Sequence, residues 1–110
     1  MEMERTEREG VDLLACRGRL DMVAAPRLKS TVDAVVQRGR ARVVVDLSEV
    51  SFIDSSGLGA LVGGLKAARQ AGGDLRIAAA AEQVRAVLKL TNLDRILQPY
   101  PAVEDALDGW

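Results

Sequence analysis

Apolar and polar residues change their spacing several times along the chain, and these changes outline strands and helices. Residues 2–8 alternate weakly and predict an edge strand, and the apolar run 11–17, ended by Gly18, predicts a second strand. A helix follows, because Pro26 suits a first helical turn and the next apolar residues share one helical face. Those residues are Leu28, Val32, Val35 and Val36, and Gly39 ends the helix.

The middle of the chain contains the clearest strand, residues 42–47. Its three successive valines predict burial on both faces, as in the centre of a parallel or mixed sheet. Residues 48–56 are interpreted as a polar turn followed by Phe52 and Ile53. A second helix is predicted to start near Gly57 and to end at 72–73. Its apolar stripe is Leu58, Leu61, Val62, Leu65 and Ala68.

The last third of the chain continues the alternation. Residues 74–78 predict a strand, and Val84, Val87 and Leu88 mark a third helix. Residues 93–97 form a short apolar stretch expected to return to the sheet, and 102–107 a last short helix. The order β β α β α β α, then β α, predicts an α/β fold in which helices cover a mixed, mostly parallel sheet of four to five strands. The length of 110 residues predicts one domain, 1–110, with about four helices.

Composition excludes several classes of site. The chain has no His and one Cys, so it has no Ser-His-Asp triad, no internal disulfide and no zinc site. Aromatic residues are 3% and the net charge is −1, which argues against base stacking and against a basic nucleic-acid-binding face. We therefore expect no cofactor, no metal and no direct nucleic acid contact. Cys16 lies in an apolar run and is predicted to be buried and inert.

Two features favour a cytoplasmic location without membrane insertion. The N-terminus is acidic and polar, unlike the basic and then apolar start of a signal peptide. The longest uncharged apolar stretch runs from Gly57 to Leu65, whereas a membrane-spanning helix needs about 20 such residues.

Nucleotide-binding motifs are approached but not completed. Gly57 and Gly59 open a helix as a dinucleotide fingerprint would, but the third glycine position is Val62. Gly59 and Gly64 have the spacing of a phosphate-binding loop, but Leu65 stands at the lysine position. We therefore interpret these glycines as sites of close helix–sheet packing. The neighbouring carboxylates are interpreted as turn and cap residues rather than a catalytic or metal cluster; they are Asp46, Glu49 and Asp54.

The segment 52–59, Phe-Ile-Asp-Ser-Ser-Gly-Leu-Gly, carries the most chemical information. A Ser or Asp at a helix start caps free backbone N–H groups. The same helix end tolerates an added anion, so a hydroxyl there could carry a phosphate without disrupting the fold. Phosphorylation adds about −1.5 to −2 charges at neutral pH, here next to Asp54. A partner fitted to the neutral surface would then bind less well.

Several segments in this order resemble one family over nearly the full length of the chain. They are Gly18-Arg19-Leu20-Asp21, Val43-Val44-Val45-Asp46-Leu47, the segment 52–59, Gly72-Gly73-Asp74-Leu75 and the region 87–93. The chain resembles the STAS-domain anti-sigma-factor antagonists of bacteria, which implies a single STAS domain.

The resemblance implies a function and a set of site residues. Such proteins bind an anti-sigma factor that is also a serine kinase of the histidine-kinase-like ATPase type, and so free a sigma factor. The kinase phosphorylates the first serine of Asp-Ser-Ser-Gly, which is Ser55 here, and a serine phosphatase resets the protein. Ser56 is expected to be a cap or turn residue at the partner interface, and Asp21 a partner contact. The docking rim is expected to include Asp54, Gly57 and Leu58.

Two other functions remain open at this point. STAS domains also serve as scaffold subunits of transporters, lipid-trafficking assemblies and stress-signalling complexes. A small nucleotide-binding enzyme would rest only on glycines in the wrong register. Single-domain length and an intact Asp-Ser-Ser-Gly favour the antagonist, a phosphorylatable binding protein and not an enzyme.

Overall fold

Strands and helices alternate along the chain in the predicted order. A computed structural model describes residues 1–108 and Trp110. Within them the strands are β1 Glu2–Arg8, β2 Val11–Leu20, β3 Arg42–Ile53, β4 Asp74–Ala78 and β5 Pro99–Tyr100. The helices are α1 Ala25–Gln37, α2 Ser55–Gln70, α3 Glu82–Leu90 and α4 Val103–Leu107, with a 3₁₀ turn at Leu93–Arg95.

The strands form one mixed sheet in the order β1-β2-β3-β4-β5. β1 pairs with β2 in the antiparallel direction, and all other neighbouring pairs are parallel. The predicted α/β class with a mixed, mostly parallel sheet is confirmed. Because parallel strands share a direction, the carboxyl ends of β2 and β3 meet at one edge, where Leu20 pairs with Ile53.

The sheet is covered unequally on its two faces. α1, α2 and α3 bury the main core against one face, which includes Val43 and Val45 of β3. The short helix α4 covers part of the other face, where Val44 packs with Ala78 and Ala106. The predicted burial of the three valines on both faces is therefore confirmed. Among the described residues, no helix is both long and apolar enough to cross a membrane.

Three sequence-based boundaries were wrong. Residues 48–56 were interpreted as beginning with a turn, but β3 continues to Ile53. The strand continues because it stays paired with β2 and because Val50 and Ile53 are buried. Strand β2 does not end at Gly18 but continues to Leu20, where it pairs with Ile53. Helix α2 starts at Ser55, close to its predicted start. Residues 93–97 do not enter the sheet: they form a 3₁₀ turn and the loop after it, and Pro99–Tyr100 is the returning strand.

The packing interpretation of the glycines holds at two of three positions. A Cβ on Gly64 would lie 3.1 Å from Leu75 Cδ1 and 3.2 Å from Val32 Cγ1, so α2 packs closely there. Gly57 is in closer contact still, as described below. Gly59 has nothing within 4 Å of its Cβ position, so the structure gives no packing reason for a glycine there.

Candidate functional site

The candidate site lies where β2 and β3 end side by side. Leu20 pairs with Ile53, and the Asp54 N–H donates to the Leu20 carbonyl at 3.4 Å. The next residues, Asp21 and Asp54, therefore leave the sheet at the same edge. In parallel sheets this carboxyl edge is where functional loops collect.

Asp54 connects the two segments that leave the sheet. One carboxylate oxygen, Oδ1, accepts a hydrogen bond from the Gly57 N–H at 2.9 Å, which caps helix α2. The other, Oδ2, accepts from the Met22 N–H at 3.2 Å in the β2–α1 loop. The predicted cap role of Asp54 is confirmed, and its carboxylate also fixes the loop against the helix start.

Asp21 organises the loop itself. Its Oδ1 accepts from the N–H groups of Val23 and Ala24 at 3.1 and 3.2 Å, the pattern of an Asx turn. Arg19 lies 3.8 Å from the Asp21 carboxylate, and its guanidinium stacks over the Phe52 ring at 4.1 Å. Asp21 is thus engaged mostly with backbone, in a geometry that fixes the two residues after it.

Gly57 permits α2 to approach β2 closely. A Cβ at this position would press into the Leu20 carbonyl and would lie 2.8 Å from Ile53 Cγ1 and 2.9 Å from Leu20 Cγ. Only glycine fits without moving backbone. The close approach places the first turn of α2, and hence Ser55, directly beside the β2–α1 loop.

Ser55 is the exposed hydroxyl at this helix start. It is the first residue of a 16-residue helix, and Ser56 after it is half-buried. The first helical hydrogen bond runs from the Leu58 N–H to the Asp54 carbonyl at 3.0 Å, so the N–H groups of Ser55 and Ser56 precede the ladder. The hydroxyl therefore stands at the positive end of the helix dipole, where an added anion is favoured.

Three sequence-based assignments change with this geometry. Leu58 is 4% exposed and belongs to the core, so its side chain is not on a docking rim. Gly57 is buried and serves helix packing. Ser56 lies in the first helical turn, and the cap is Asp54 instead. Contact of Ser55, Ser56, Asp21 and Asp54 with a partner stays a prediction.

The sequence analysis missed an exposed apolar pair in the β2–α1 loop. Met22 is 70% exposed and Val23 is 83% exposed. The backbone N–H of Met22 donates to Asp54 and that of Val23 donates to Asp21, so the backbone of both residues is fixed. Large apolar side chains held outward by a fixed loop are typical of a protein-binding surface. The available signal was two apolar residues that belong to no periodic element.

The part of the chain that the structure describes contains no cluster of three or more His, Cys, Asp or Glu residues that could hold a metal ion. Asp46, Glu49 and Asp54 have separate partners: Asp46 accepts from the Ser48 N–H, Glu49 pairs with Arg17, and Asp54 caps α2. The cap interpretation of Asp54 is confirmed, whereas Asp46 lies within β3 and Glu49 forms a surface ion pair, so neither is a turn or cap residue.

The family model for the STAS domain matches residues 2–106. The chain belongs to the STAS domain family. A Thermotoga neapolitana protein, provisionally named an anti-sigma factor antagonist, is 35% identical over 91% of this chain and 89% of its own length. The anti-sigma-B factor antagonist of Listeria monocytogenes is 27% identical over 99% of this chain and 94% of its own.

Solved structures of the family agree with this fold. An anti-sigma factor antagonist from Mycobacterium paratuberculosis has a TM-score of 0.86 and 32% identity, covering 96% of this chain and 90% of its own. More distant structures share the fold alone. They include SpoIIAA in its phosphorylated form, with a TM-score of 0.75 and 18% identity, and a sulfate transporter family protein from Wolinella succinogenes, with 0.76 and 18%.

Proposed function

We propose that this STAS domain is an anti-sigma factor antagonist whose unphosphorylated form binds an anti-sigma factor that is also a serine kinase. Binding occupies the anti-sigma factor and frees its sigma factor. Phosphorylation of Ser55 then releases the kinase. The observation that carries the proposal is the exposed Ser55 hydroxyl at a helix start, beside the fixed, outward-facing Met22 and Val23.

The chemistry of this switch needs little from the chain itself. The Ser55 Oγ attacks the γ-phosphorus of ATP held by the kinase, the bond from that phosphorus to ADP breaks, and the serine proton passes to a base on the kinase. A histidine-kinase-like ATPase supplies nucleotide and metal, and a serine phosphatase later hydrolyses the phosphoserine. The chain acts as a binding protein and kinase substrate, with no cofactor or catalysis of its own.

The local charges explain how a phosphate would change binding and leave the fold intact. The free N–H groups at the start of α2 stabilise an anion, so the helix tolerates the group. On the surface, about two negative charges join the carboxylates of Asp54 and Asp21 beside the apolar pair. A partner that accepts Met22 and Val23 in an apolar site would then face a concentrated negative charge at its rim.

The comparisons support this proposal at the level of the family. Relatives that this chain covers almost completely are named anti-sigma factor antagonists, among them that of Paenibacillus polymyxa for sigma F, 28% identical over 97% of this chain. SpoIIAA, which shares the fold, has a phosphorylated form. Because sigma factors act on RNA polymerase inside the cell, the proposed site of action is the bacterial cytoplasm.

Phosphosite mapping tests the proposal. The protein is incubated with its cognate anti-sigma kinase and ATP, and the modified residue is located by mass spectrometry. We expect one phosphate on Ser55, none in Ser55→Ala, and normal modification of Ser55 in the matched control Ser56→Ala. Phosphate on another residue with Ser55 unmodified would overturn the assignment.

A scaffold role is the second candidate, because the same fold occurs in the Wolinella succinogenes sulfate transporter family protein. Affinity purification from cells distinguishes the two. A stable complex with an ATPase supports the antagonist, whereas recovery with membrane transport, lipid-trafficking or large stress-sensing components supports the scaffold.

A further inference from the structure

The edge of β3 that faces α3 has no neighbouring strand near the candidate site. The last pair between β3 and β4 joins Asp46 to Ala78, and β3 continues for seven residues to Ile53. On its other edge β3 stays paired with β2 as far as Leu20. Ile53 is buried, so its backbone N–H and C=O on the open edge need partners within the protein.

The side chain of Gln83 supplies both partners. Gln83 Oε1 accepts a hydrogen bond from the Ile53 N–H at 3.0 Å, and Gln83 Nε2 donates to the Ile53 carbonyl at 3.2 Å. A primary amide is the side chain that can both donate and accept in this way. At the end of β3, the Gln83 side chain therefore makes the hydrogen bonds that a neighbouring strand would otherwise make.

One of these bonds, from Gln83 Nε2 to the Ile53 carbonyl, acts on the Ile53–Asp54 peptide that leads to Ser55, and the other acts on the peptide before it. The carbonyl of Ile53 is held by Gln83, while the N–H of Asp54 in the same peptide group donates to Leu20 on the opposite side. A planar peptide fixed at both ends has little freedom to rotate. Gln83 is itself held in place because α3 buries its next residue, Val84, and one turn later Leu88.

We propose that Gln83 is a positioning residue for phosphoryl transfer to Ser55: it fixes the Ile53–Asp54 peptide, and through it the direction of the Ser55 hydroxyl two residues later. The inference rests on the proposed function, and it assigns to α3 a role in the reaction that the site residues alone do not show. Its signature is a loss in the chemical step, because in-line transfer depends on the placement of the attacking oxygen.

The test variant is Gln83→Met, which keeps a long unbranched side chain and removes both hydrogen bonds. Gln70→Met is the matched control, because this substitution makes the same chemical change at an exposed position at the end of α2. Gln83→Glu keeps an acceptor for the Ile53 N–H and loses the donor to the carbonyl. Full-length proteins are compared at a temperature where circular dichroism shows all of them folded.

Two readouts separate positioning from a purely structural role. We expect amide hydrogen exchange at Ile53 to accelerate at least tenfold in Gln83→Met. We also expect kcat for Ser55 phosphorylation by the cognate kinase to fall about tenfold to a hundredfold, with KM changed by less than about threefold. Gln83→Glu should exchange more slowly at Ile53 than Gln83→Met, because it still accepts from the Ile53 N–H, but its kcat should fall to a similar extent, because the bond to the Ile53 carbonyl is lost. Gln70→Met should match wild type in both readouts.

The outcomes assign failure to one proposal or the other. A wild-type chain phosphorylated at Ser55, with an unchanged kcat in folded Gln83→Met, overturns the role of Gln83 and leaves the proposed function standing. A wild-type chain that its kinase does not phosphorylate at Ser55 overturns the proposed function and this inference together.

Discussion

The two ends of strand β2 each carry aspartate, but the protein uses them in opposite ways. At the amino end, Asp12 is 0% exposed and pairs with Arg40 at 2.9 Å and with Arg5 at 2.7 Å. Arg40 also contacts Glu7 on β1. At the carboxyl end, Asp21 and the neighbouring Asp54 after β3 accept hydrogen bonds from backbone N–H groups of the β2–α1 loop and of the first turn of α2.

The carboxylate at the amino end of β2 is paired and buried, whereas the carboxyl end leaves charge and apolar surface exposed. Asp12 has its charge compensated by two guanidinium groups, so it can be buried without an unpaired charge. The carboxylates at the other end fix backbone while leaving Ser55, Met22 and Val23 accessible. The amino end therefore stabilises the fold, and the carboxyl end is available to a partner.

The largest expected effect is on the free energy of unfolding, from a substitution at the amino end of β2. Arg40→Met leaves the buried Asp12 with one cation, and we expect the free energy of unfolding to fall by about 3 kcal/mol. The matched control is Arg38→Met, because Arg38 makes no ion pair within the described residues. Urea unfolding followed by circular dichroism measures both. Equal midpoints for the two variants would show that the ion pairs at this end do not stabilise the fold.

Cys16 lies between the two ends of β2, where its thiol is buried in the main core. Burial, with a smaller contribution from the Asp46 carboxylate, raises the pKa of its thiol from 9.0 to about 11. The unfolded chain releases this proton first, so stability should fall as the pH rises from about 9 to about 11, by about 2–3 kcal/mol in total.

Urea unfolding at pH 8, 9, 10 and 11 measures this fall for wild type and for Cys16→Ala. The variant loses the buried sulfur and should be less stable at pH 8, but it should lack the part of the slope due to the thiol. The same slope in both proteins would mean that the thiol ionises equally in the folded and unfolded states.

At the carboxyl end, removing the carboxylate of Asp54 should lower the free energy of unfolding by a smaller amount. Asp54→Ala loses the cap of α2 and the contact to Met22, and we expect a cost of about 1–2 kcal/mol. Asp54→Asn keeps an oxygen acceptor and should retain most of the stability, since Asn and Asp cap equally well. Thermal unfolding distinguishes them, and a loss in Asp54→Asn as large as in Asp54→Ala would indicate that charge rather than capping is important.

The smallest effect on stability is expected in the exposed loop. Val23→Ser should change the free energy of unfolding by less than about 0.5 kcal/mol, because the side chain is already in water. The same change should weaken binding of the anti-sigma factor by about tenfold. Leu90→Ser is the control, since Leu90 is equally exposed, at 83%, at the far end of α3. Similar binding of both variants would remove the loop from the docking surface.

The sequence predicted most of the fold because its strands and helices have strong local signals. Three successive valines identified the central strand, and Pro26 and Gly39 marked the ends of α1. The boundary at residues 48–56 could not be read locally. Polar residues such as Ser48 and Glu49 suggested a turn, but pairing with β2 keeps them in a strand whose outer face is exposed.

The candidate site was predicted only in part for a similar reason. The position of Ser55 at a helix start follows from adjacent residues, and the structure bears that out. The burial of Leu58 and the exposure of Met22 depend on how α2 and β2 approach each other. The bonds from Gln83 join residues 30 positions apart, and no periodic pattern signals them.

The central claim is that the charge on Ser55 decides whether the anti-sigma factor stays bound. Isothermal titration calorimetry of the cognate anti-sigma factor tests it most directly, with four forms of this protein: unphosphorylated, phosphorylated on Ser55, Ser55→Ala and Ser55→Asp. We predict that the unphosphorylated protein and Ser55→Ala bind equally tightly, and that the phosphorylated protein and Ser55→Asp bind at least tenfold more weakly, a difference of about 1.4 kcal/mol or more. Equal affinity of the phosphorylated and unphosphorylated proteins would contradict the account.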